Sequence, residues 1–394
     1  MTSLQAVLGT AAVDRDLLRL TLVPGIGPLR LAMLRESFPT AAAILAASAP
    51  ELRAAGLPAN LAETLGTAAA EADVDGVIAD CEAGGIHVWS ATDATYPQPL
   101  ASLPDTPPLL YARGDWQPAD ARAIALVGSR HATAYGLRMT ERLATGLVEH
   151  GYTVVSGLAR GIDAMAHRAA LRAGGRTLAV LGSGLLAIYP PEHRGLADEI
   201  AERGGVISEF SPRTPPRAGQ FPQRNRLLSG LARGVVVVEA GARSGSLITV
   251  RMALEQGREV FAVPGPADLL SSRGCHALIR DGARLVESID DILAELDPLF
   301  SADGEPATPQ SAVATAADPS TIVLEDPQQR AVYSLIGQEP TLIDEVIVRS
   351  SLLTHQALAS IAALELRRLI RRTGGPYVQR VGSNDDTVAR PRRG

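Results

Sequence analysis

Short apolar runs rich in β-branched residues recur through the middle of the chain, at Ile124 to Val127, Thr153 to Val155, Thr177 to Leu181, Gly205 to Ile207, Gly234 to Val238 and Val260 to Val263. Helical patterns separate them. Runs that are apolar throughout, rather than alternating, suit strands covered on both faces, and their alternation with helices predicts a mainly parallel sheet with helices on either side. Residues 121–295 are therefore expected to form a doubly wound α/β domain. Upstream, Leu17 to Leu22 and Leu29 to Phe38 keep a helical period around Pro24-Gly25-Ile26-Gly27-Pro28, which reads as helix, tight glycine hairpin, helix. Alanine-rich helical patterns follow at Ala41 to Ala47 and Leu61 to Ala79, then Gly84-Gly85-Ile86-His87-Val88-Trp89 suggests a short strand. This predicts a small helical domain over residues 1–88.

Pro97, Pro99, Pro104, Pro107 and Pro108 make residues 89–120 an extended connector, with Leu109-Leu110-Tyr111 as a strand leading to the central domain. Residues 296–326 lose the hydrophobic period and carry Pro298, Pro306, Pro309 and Pro319, the composition of a linker. Beyond it, helical patterns at Gln328 to Ile336 and Leu342 to Ser350 precede a helix capped by Thr354 and running to about Arg372. A turn at Gly374-Gly375-Pro376 then leads to a strand, Tyr377 to Val381. Three helices and a ribbon fit a winged helix over 327–383. Residues 384–394, with Arg390, Arg392 and Arg393, read as a disordered, solvated tail.

Composition narrows the chemistry. No basic segment leads into an apolar run at the start of the sequence, and no stretch approaches about 20 uninterrupted apolar residues, so a cytoplasmic protein without a membrane span is expected. Cys81 and Cys275 lack metal or disulfide spacing, which argues against zinc. The chain contains no lysine: all 37 basic residues are arginine. A Schiff base, a lysine general base and a P-loop ending in Gly-Lys-Ser/Thr are thereby excluded. The net charge of −6 describes the whole molecule and leaves a local anion site open.

In open parallel sheets ligands bind beyond the carboxyl ends of the strands. The first run of the domain ends in Gly128-Ser129-Arg130, which places glycine backbone, a hydroxyl and a guanidinium beside a helix start, an arrangement suited to anions. The second ends in Ser156-Gly157-Leu158-Ala159-Arg160-Gly161-Ile162-Asp163, where Asp163 reads as a structural cap rather than a catalytic acid. After the third, Gly182-Ser183-Gly184 begins a GxGxxA pattern. Pro190 and Pro191 cut short the helix a dinucleotide would need, so no cofactor is expected. Glu192-His193-Arg194 adds a cation after Tyr189-Pro190. Arg224 and Arg226, in Phe221-Pro222-Gln223-Arg224-Asn225-Arg226, either hold phosphate or join helix to sheet, and Asn225 either fixes a loop or reads a base edge. The fifth run ends in a glycine and hydroxyl loop containing Ser244 and Gly245, a candidate anion nest. No nucleophile, base and orienting group occur together, so binding is expected rather than catalysis.

The order of these motifs, from Val127-Gly128-Ser129-Arg130 to Glu259-Val260-Phe261-Ala262-Val263-Pro264-Gly265, resembles the DNA processing protein A (DprA, or Smf) family. The resemblance implies a Rossmann-like domain that binds single-stranded DNA without sequence preference, forms a homodimer and loads RecA recombinase during natural transformation and recombination. It implies no enzymatic activity. It maps a positive pocket onto Arg130 and Arg194, within a candidate DNA-binding set of Gly128, Ser129, Arg130, Ser156, Gly157, Arg160, Arg194, Arg224, Asn225, Arg226, Ser244 and Gly245.

The Pro24-Gly25-Ile26-Gly27 hairpin resembles a helix-hairpin-helix unit that can contact phosphate. A SAM-like packing module fits it as well. Weaker duplex contact through the terminal domains stays open for the same reason. Few aromatics lie in the candidate loops, so little base stacking is expected. The competing expectation is a nucleotide phosphoribohydrolase of a related Rossmann-like group. Its Pro-Gly-Gly-x-Gly-Thr loop and following glutamate are replaced here by Gly241-Ala242-Arg243-Ser244-Gly245-Ser246.

Overall fold

A computed structural model describes residues 13–296 and, within 326–380, all but 338–340, 351, 353, 367–368 and 373–376. The expected linker, the Gly374-Gly375-Pro376 turn and the C-terminal tail lie outside the described residues. The chain divides into two compact units, Met1–Ala307 and Thr308–Gly394.

In the first unit nine strands share one sheet: β1 (His87–Ser90), β2 (Leu109–Gly114), β3 (Ala123–Gly128), β4 (Thr153–Ser156), β5 (Thr177–Val180), β6 (Gly205–Ser208), β7 (Gly234–Glu239), β8 (Glu259–Ala262) and β9 (Arg284–Leu285). Their order in space is β1-β2-β6-β5-β4-β3-β7-β8-β9. The seven strands from β3 to β9 are parallel, while β2 runs antiparallel to both β6 and β1. The chain winds outward from β3 to β6, then returns to the other flank of β3 with β7. Strand order therefore reverses between β3 and β7, the doubly wound topology that the apolar runs predict.

Alternation along β3 explains why both faces are covered. Ile124 and Leu126 pack with Leu143, Leu147 and Ala166 from the helices Ala134–Glu149 and Ile162–Arg172. Ala125 and Val127 pack with Leu227, Leu231 and Val250 from the helices Gln220–Leu231 and Ser246–Glu255 on the opposite face. Period-two alternation thus divides one apolar run between two cores.

Within residues 89–120, where an extended connector is expected, the structure adds strand β2 and the second half of β1, Trp89 and Ser90, to the sheet. The prolines fall between these strands, so no ladder position loses its donor. The six helices spanning Arg15–Gly84 bury Leu17, Leu34, Ile44 and Leu65 in a core continuous with Tyr111 of β2 and Val206 of β6.

The second unit carries the helices Pro327–Leu335, Ile343–Ser350 and Thr354–Leu366, with a small antiparallel sheet of β10 (Thr341–Leu342), β11 (Ile370–Arg372) and β12 (Tyr377–Arg380), ordered β10-β12-β11. This is a winged helix. Its third helix stops at Leu366 rather than near Arg372, because Ile370 to Arg372 pair with Val378 to Arg380 and Ile370 is buried in the unit's core. The helical period of that stretch yields to the ladder. Consequently Arg371 and Arg372 lie on β11, and the helix Thr354–Leu366 has no arginine of its own.

Two buried acids tie the α/β layers together. Asp120, fully buried, accepts from Arg176 Nε (3.0 Å) and Nη2 (2.9 Å), Thr153 Oγ1 (2.7 Å) and the Gln117 N–H (2.8 Å). Arg226 donates to the buried Glu209, and its Nε lies 3.1 Å from Asp105. Burial pushes the Glu209 carboxyl up to about 7, against the pull of Arg226.

Removing Asp120 leaves the Thr153 hydroxyl and the Arg176 guanidinium short of their acceptor, so Asp120→Ala is expected to lower unfolding free energy by about 3 kcal/mol in chemical denaturation. A carboxyl raised on folding retains a proton in the native state that the unfolded chain has lost. Glu209 should therefore erode stability as pH rises from about 4.5 to about 7, by on the order of 3 kcal/mol. Glu209→Gln should remove that slope, measured as the difference between urea midpoints of the two proteins across this window.

Candidate nucleic-acid interface

A cleft of about 910 Å³ opens where the strand order reverses, beyond the carboxyl ends of β3, β4 and β7. The loop after β3 forms one wall. The ladder between β3 and β7 slips at Val127/Gly128, so that Gly128 pairs with Glu239. A Cβ on Gly128 would stand 2.6 Å from Ile162 Cγ1 and 2.9 Å from Glu239 O, which is why glycine occupies the position. Ser129 N–H donates to Glu239 O at 2.8 Å, and Ser129 O accepts from Ile162 N–H at 3.2 Å. With the backbone held on both sides, the Arg130 side chain projects outward, its guanidinium 5.4 Å from the centroid of the Phe221 ring. Phe221 in turn meets Tyr189 at 5.8 Å with the rings inclined by 60°.

The helix start beside Arg130 differs from the open, positive terminus the sequence suggests. Thr133 caps Gly136 N–H at 3.1 Å and itself donates to the Glu239 carboxylate, from N–H at 3.1 Å and from Oγ1 at 2.6 Å. A carboxylate already fills that end of the helix.

The loop after β4 is organised by Asp163, which accepts from Gly157 N–H (3.2 Å) and Ala159 N–H (3.3 Å) while burial raises its carboxyl. Leu158 takes a positive φ of 57° between these two amides. Ser156 turns inward and donates to Leu126 O at 2.6 Å, fully buried. Gly157 lacks the Cβ that would otherwise fall on the Arg224 guanidinium. Arg224 is only 3% exposed, donates Nη1 to Val180 O and leaves Nε without a partner among the described residues. Burial pushes its guanidinium down to about 10, opposed by the nearby Asp163.

Arg224, Asn225 and Arg226 lie inside the helix Gln220–Leu231. Positions two apart on a helix point to different sides. Arg224 and Asn225 line the cleft, whereas Arg226 is committed to Glu209 and Asp105. Arg194 is likewise not brought to the cleft. It stands exposed at the start of the helix Arg194–Arg203, and His193 turns inward instead, donating Nδ1 to Leu158 O at 2.8 Å.

After β7, Ser244, Gly245 and Ser246 lead into the helix Ser246–Glu255, whose N-cap Gly245 offers no side chain. The Ser244 and Ser246 hydroxyls lie 2.8 Å apart. Arg243, exposed on this loop, also lines the cleft. Gly157 and Arg160 line a small adjoining pocket that shares Arg130 and Phe221 with the cleft, and Arg160 is held by Glu192 at 2.5 Å.

The fold thus gathers Gly128, Ser129, Arg130, Arg224, Asn225, Ser244 and Gly245, sets Gly157 and Arg160 beside them, and leaves Ser156, Arg194 and Arg226 elsewhere. Sequence reasoning passed over Arg243, Tyr189 and Phe221. All three sit within quoted motifs, and the two rings form an aromatic rim that the expectation of little stacking omits. Chemically, the cleft offers guanidinium cations, hydroxyls and backbone amides to an anion, and ring faces to a planar group.

The family model described as DNA recombination-mediator protein A matches residues 87–297, and a DprA winged helix domain model matches residues 306–376. Protein Smf of Escherichia coli (strain K12) is 40% identical over 294 residues, covering 74% of this chain and 77% of that protein. The DNA processing protein DprA of Streptococcus pneumoniae is 46% identical over 209 residues, covering 53% and 74% respectively. Its X-ray structure superposes with a TM-score of 0.64 at 35% identity, over 71% of this chain and 97% of that one. One model spans the sheet that carries the cleft, another the winged helix, and relatives align across both flanks of the strand-order reversal: the chain belongs to the DprA/Smf family of DNA processing proteins.

Proposed function

We propose that this protein binds single-stranded DNA by its backbone, without reading sequence, and hands the strand to RecA recombinase in recombination and natural transformation, as a cytoplasmic homodimer that performs no chemistry on the DNA. The observation that carries the reading is the rim where Arg130 lies over Phe221 and Phe221 meets Tyr189, above the buried cation of Arg224. A guanidinium serves a phosphate, and a ring beside it serves a base face. Bases offer their faces only when unpaired, which favours single strands over duplex. The family description names a recombination mediator, and S. pneumoniae DprA is named for DNA processing. Binding rather than hydrolysis also fits Asp163, the carboxylate on the cleft, because its Oδ2 is occupied by two backbone amides.

Fluorescence anisotropy with a labelled oligothymidine tests this. Arg130→Glu should weaken binding by about tenfold or more while the thermal melt stays intact, and Phe221→Ala should cost about 1–3 kcal/mol. Arg194→Ala, away from the cleft, should stay within about twofold of the parent. The logarithm of the binding constant should fall linearly with the logarithm of salt concentration, with a slope of about −0.7 for each phosphate neutralised. Unchanged affinity in a folded Arg130→Glu protein would sink the assignment.

A further inference from the structure

Glu239 makes none of the contacts expected of a residue that receives an anion, yet it touches the Arg130 loop at both ends. Its carbonyl accepts Ser129 N–H at 2.8 Å, and its carboxylate accepts Thr133 N–H at 3.1 Å and Thr133 Oγ1 at 2.6 Å. The slip in the β3–β7 ladder sets it opposite Gly128. It is 4% exposed, and Gly136 leaves the space it fills, since a Cβ there would stand 2.5 Å from Glu239 Oε2. A buried carboxylate next to a cleft of arginines opposes the binding of any anion, so retaining one there calls for a compensating role.

We propose that Glu239 is the positioning residue of the strand site: it clamps residues 129–133 between β7 and the helix Ala134–Glu149, keeping Arg130 against Phe221, and its charge lowers the affinity of the cleft for phosphate. The clamp works through shape and hydrogen bonding, and the charge works against the ligand. The two effects are separable because Oε2 accepts both close donors, whereas Oε1 receives only the longer bond from Thr133 N–H at 3.3 Å. A glutamine with its carbonyl oxygen at the Oε2 position keeps both close bonds and loses the charge.

The inference rests on the reading of the cleft as a phosphate site, and two readouts on the full chain keep the failures apart. Amide hydrogen exchange over residues 129–137 reports the clamp without any ligand, and anisotropy with oligothymidine reports the consequence for binding. In Glu239→Ala, exchange at Thr133, whose N–H bonds the side chain, should accelerate, while Ser129, bonded to the backbone carbonyl, serves as the internal reference. Affinity should fall about tenfold, because Arg130 loses its fixed position. In Glu239→Gln, exchange should stay near the parent value and affinity should rise about threefold at low ionic strength, with the gain shrinking as salt is added. Should Glu239→Ala fail to fold, Gly136→Ala displaces the carboxylate by crowding and should weaken binding in the same direction. The proposal is overturned if Ala and Gln variants bind alike, or if exchange accelerates while affinity stays at the parent value. A parent protein that binds no oligonucleotide refutes the strand reading, while the exchange comparison still decides whether Glu239 clamps the loop.

Discussion

The cleft depends on β3 and β7 being hydrogen-bonded neighbours although the chain visits β4, β5 and β6 between them. That adjacency makes the loops after the two strands diverge to opposite faces of the sheet and leaves a gap between them. Into this gap the helix Gln220–Leu231 brings Phe221 and Arg224, and the helix Ser246–Glu255 brings its amino terminus. The slip at Val127/Gly128 adds a local consequence: the Glu239 carbonyl meets Ser129, and the first wall of the cleft is anchored to the strand forming the last. Without β7 in that place, Gly128-Ser129-Arg130 would be held on one side alone, by the Ile162 N–H.

Acids do much of the holding in a site suited to anions. Asp163 closes the loop after β4 over two backbone amides, Glu239 holds Thr133, and Glu192 holds Arg160. Each carboxylate is engaged by donors of the protein, which leaves Arg130 and Arg243 turned to solvent as the outward cations of the cleft. Arg224 is the deeper case. Among the described residues no carboxylate pairs with it directly and its Nε has no partner, so it places positive charge beneath the floor at the expense of desolvation.

Identical residue types serve opposite ends according to helix phase. Arg224 and Arg226 are two positions apart, so one faces the cleft and the other enters a buried cluster with Glu209 and Asp105. The same logic separates His193 from Arg194, where the imidazole turns in to Leu158 O and the guanidinium stays outside. A sequence motif lists such neighbours together, and only the direction of each Cα–Cβ bond tells them apart. The third helix of the winged unit teaches a related lesson: Ile370 fits a helical period and a strand equally, and pairing with β12 decides for the strand.

Apolar runs between helical stretches determined by themselves that the chain forms a doubly wound α/β domain, because burial on both faces of a parallel strand leaves a continuous local signature. The Gly128-Ser129-Arg130 loop was legible for a comparable reason: glycine, hydroxyl and guanidinium at a strand end are local chemistry. Tertiary structure alone decided that β1 and β2 join the sheet, that Arg226 and Arg194 stay out of the cleft, that Phe221 lies under Arg130, and that Glu239 occupies the helix terminus. Each of these turns on partners far apart in the chain, where side-chain direction and ladder register, rather than residue type, set which groups meet.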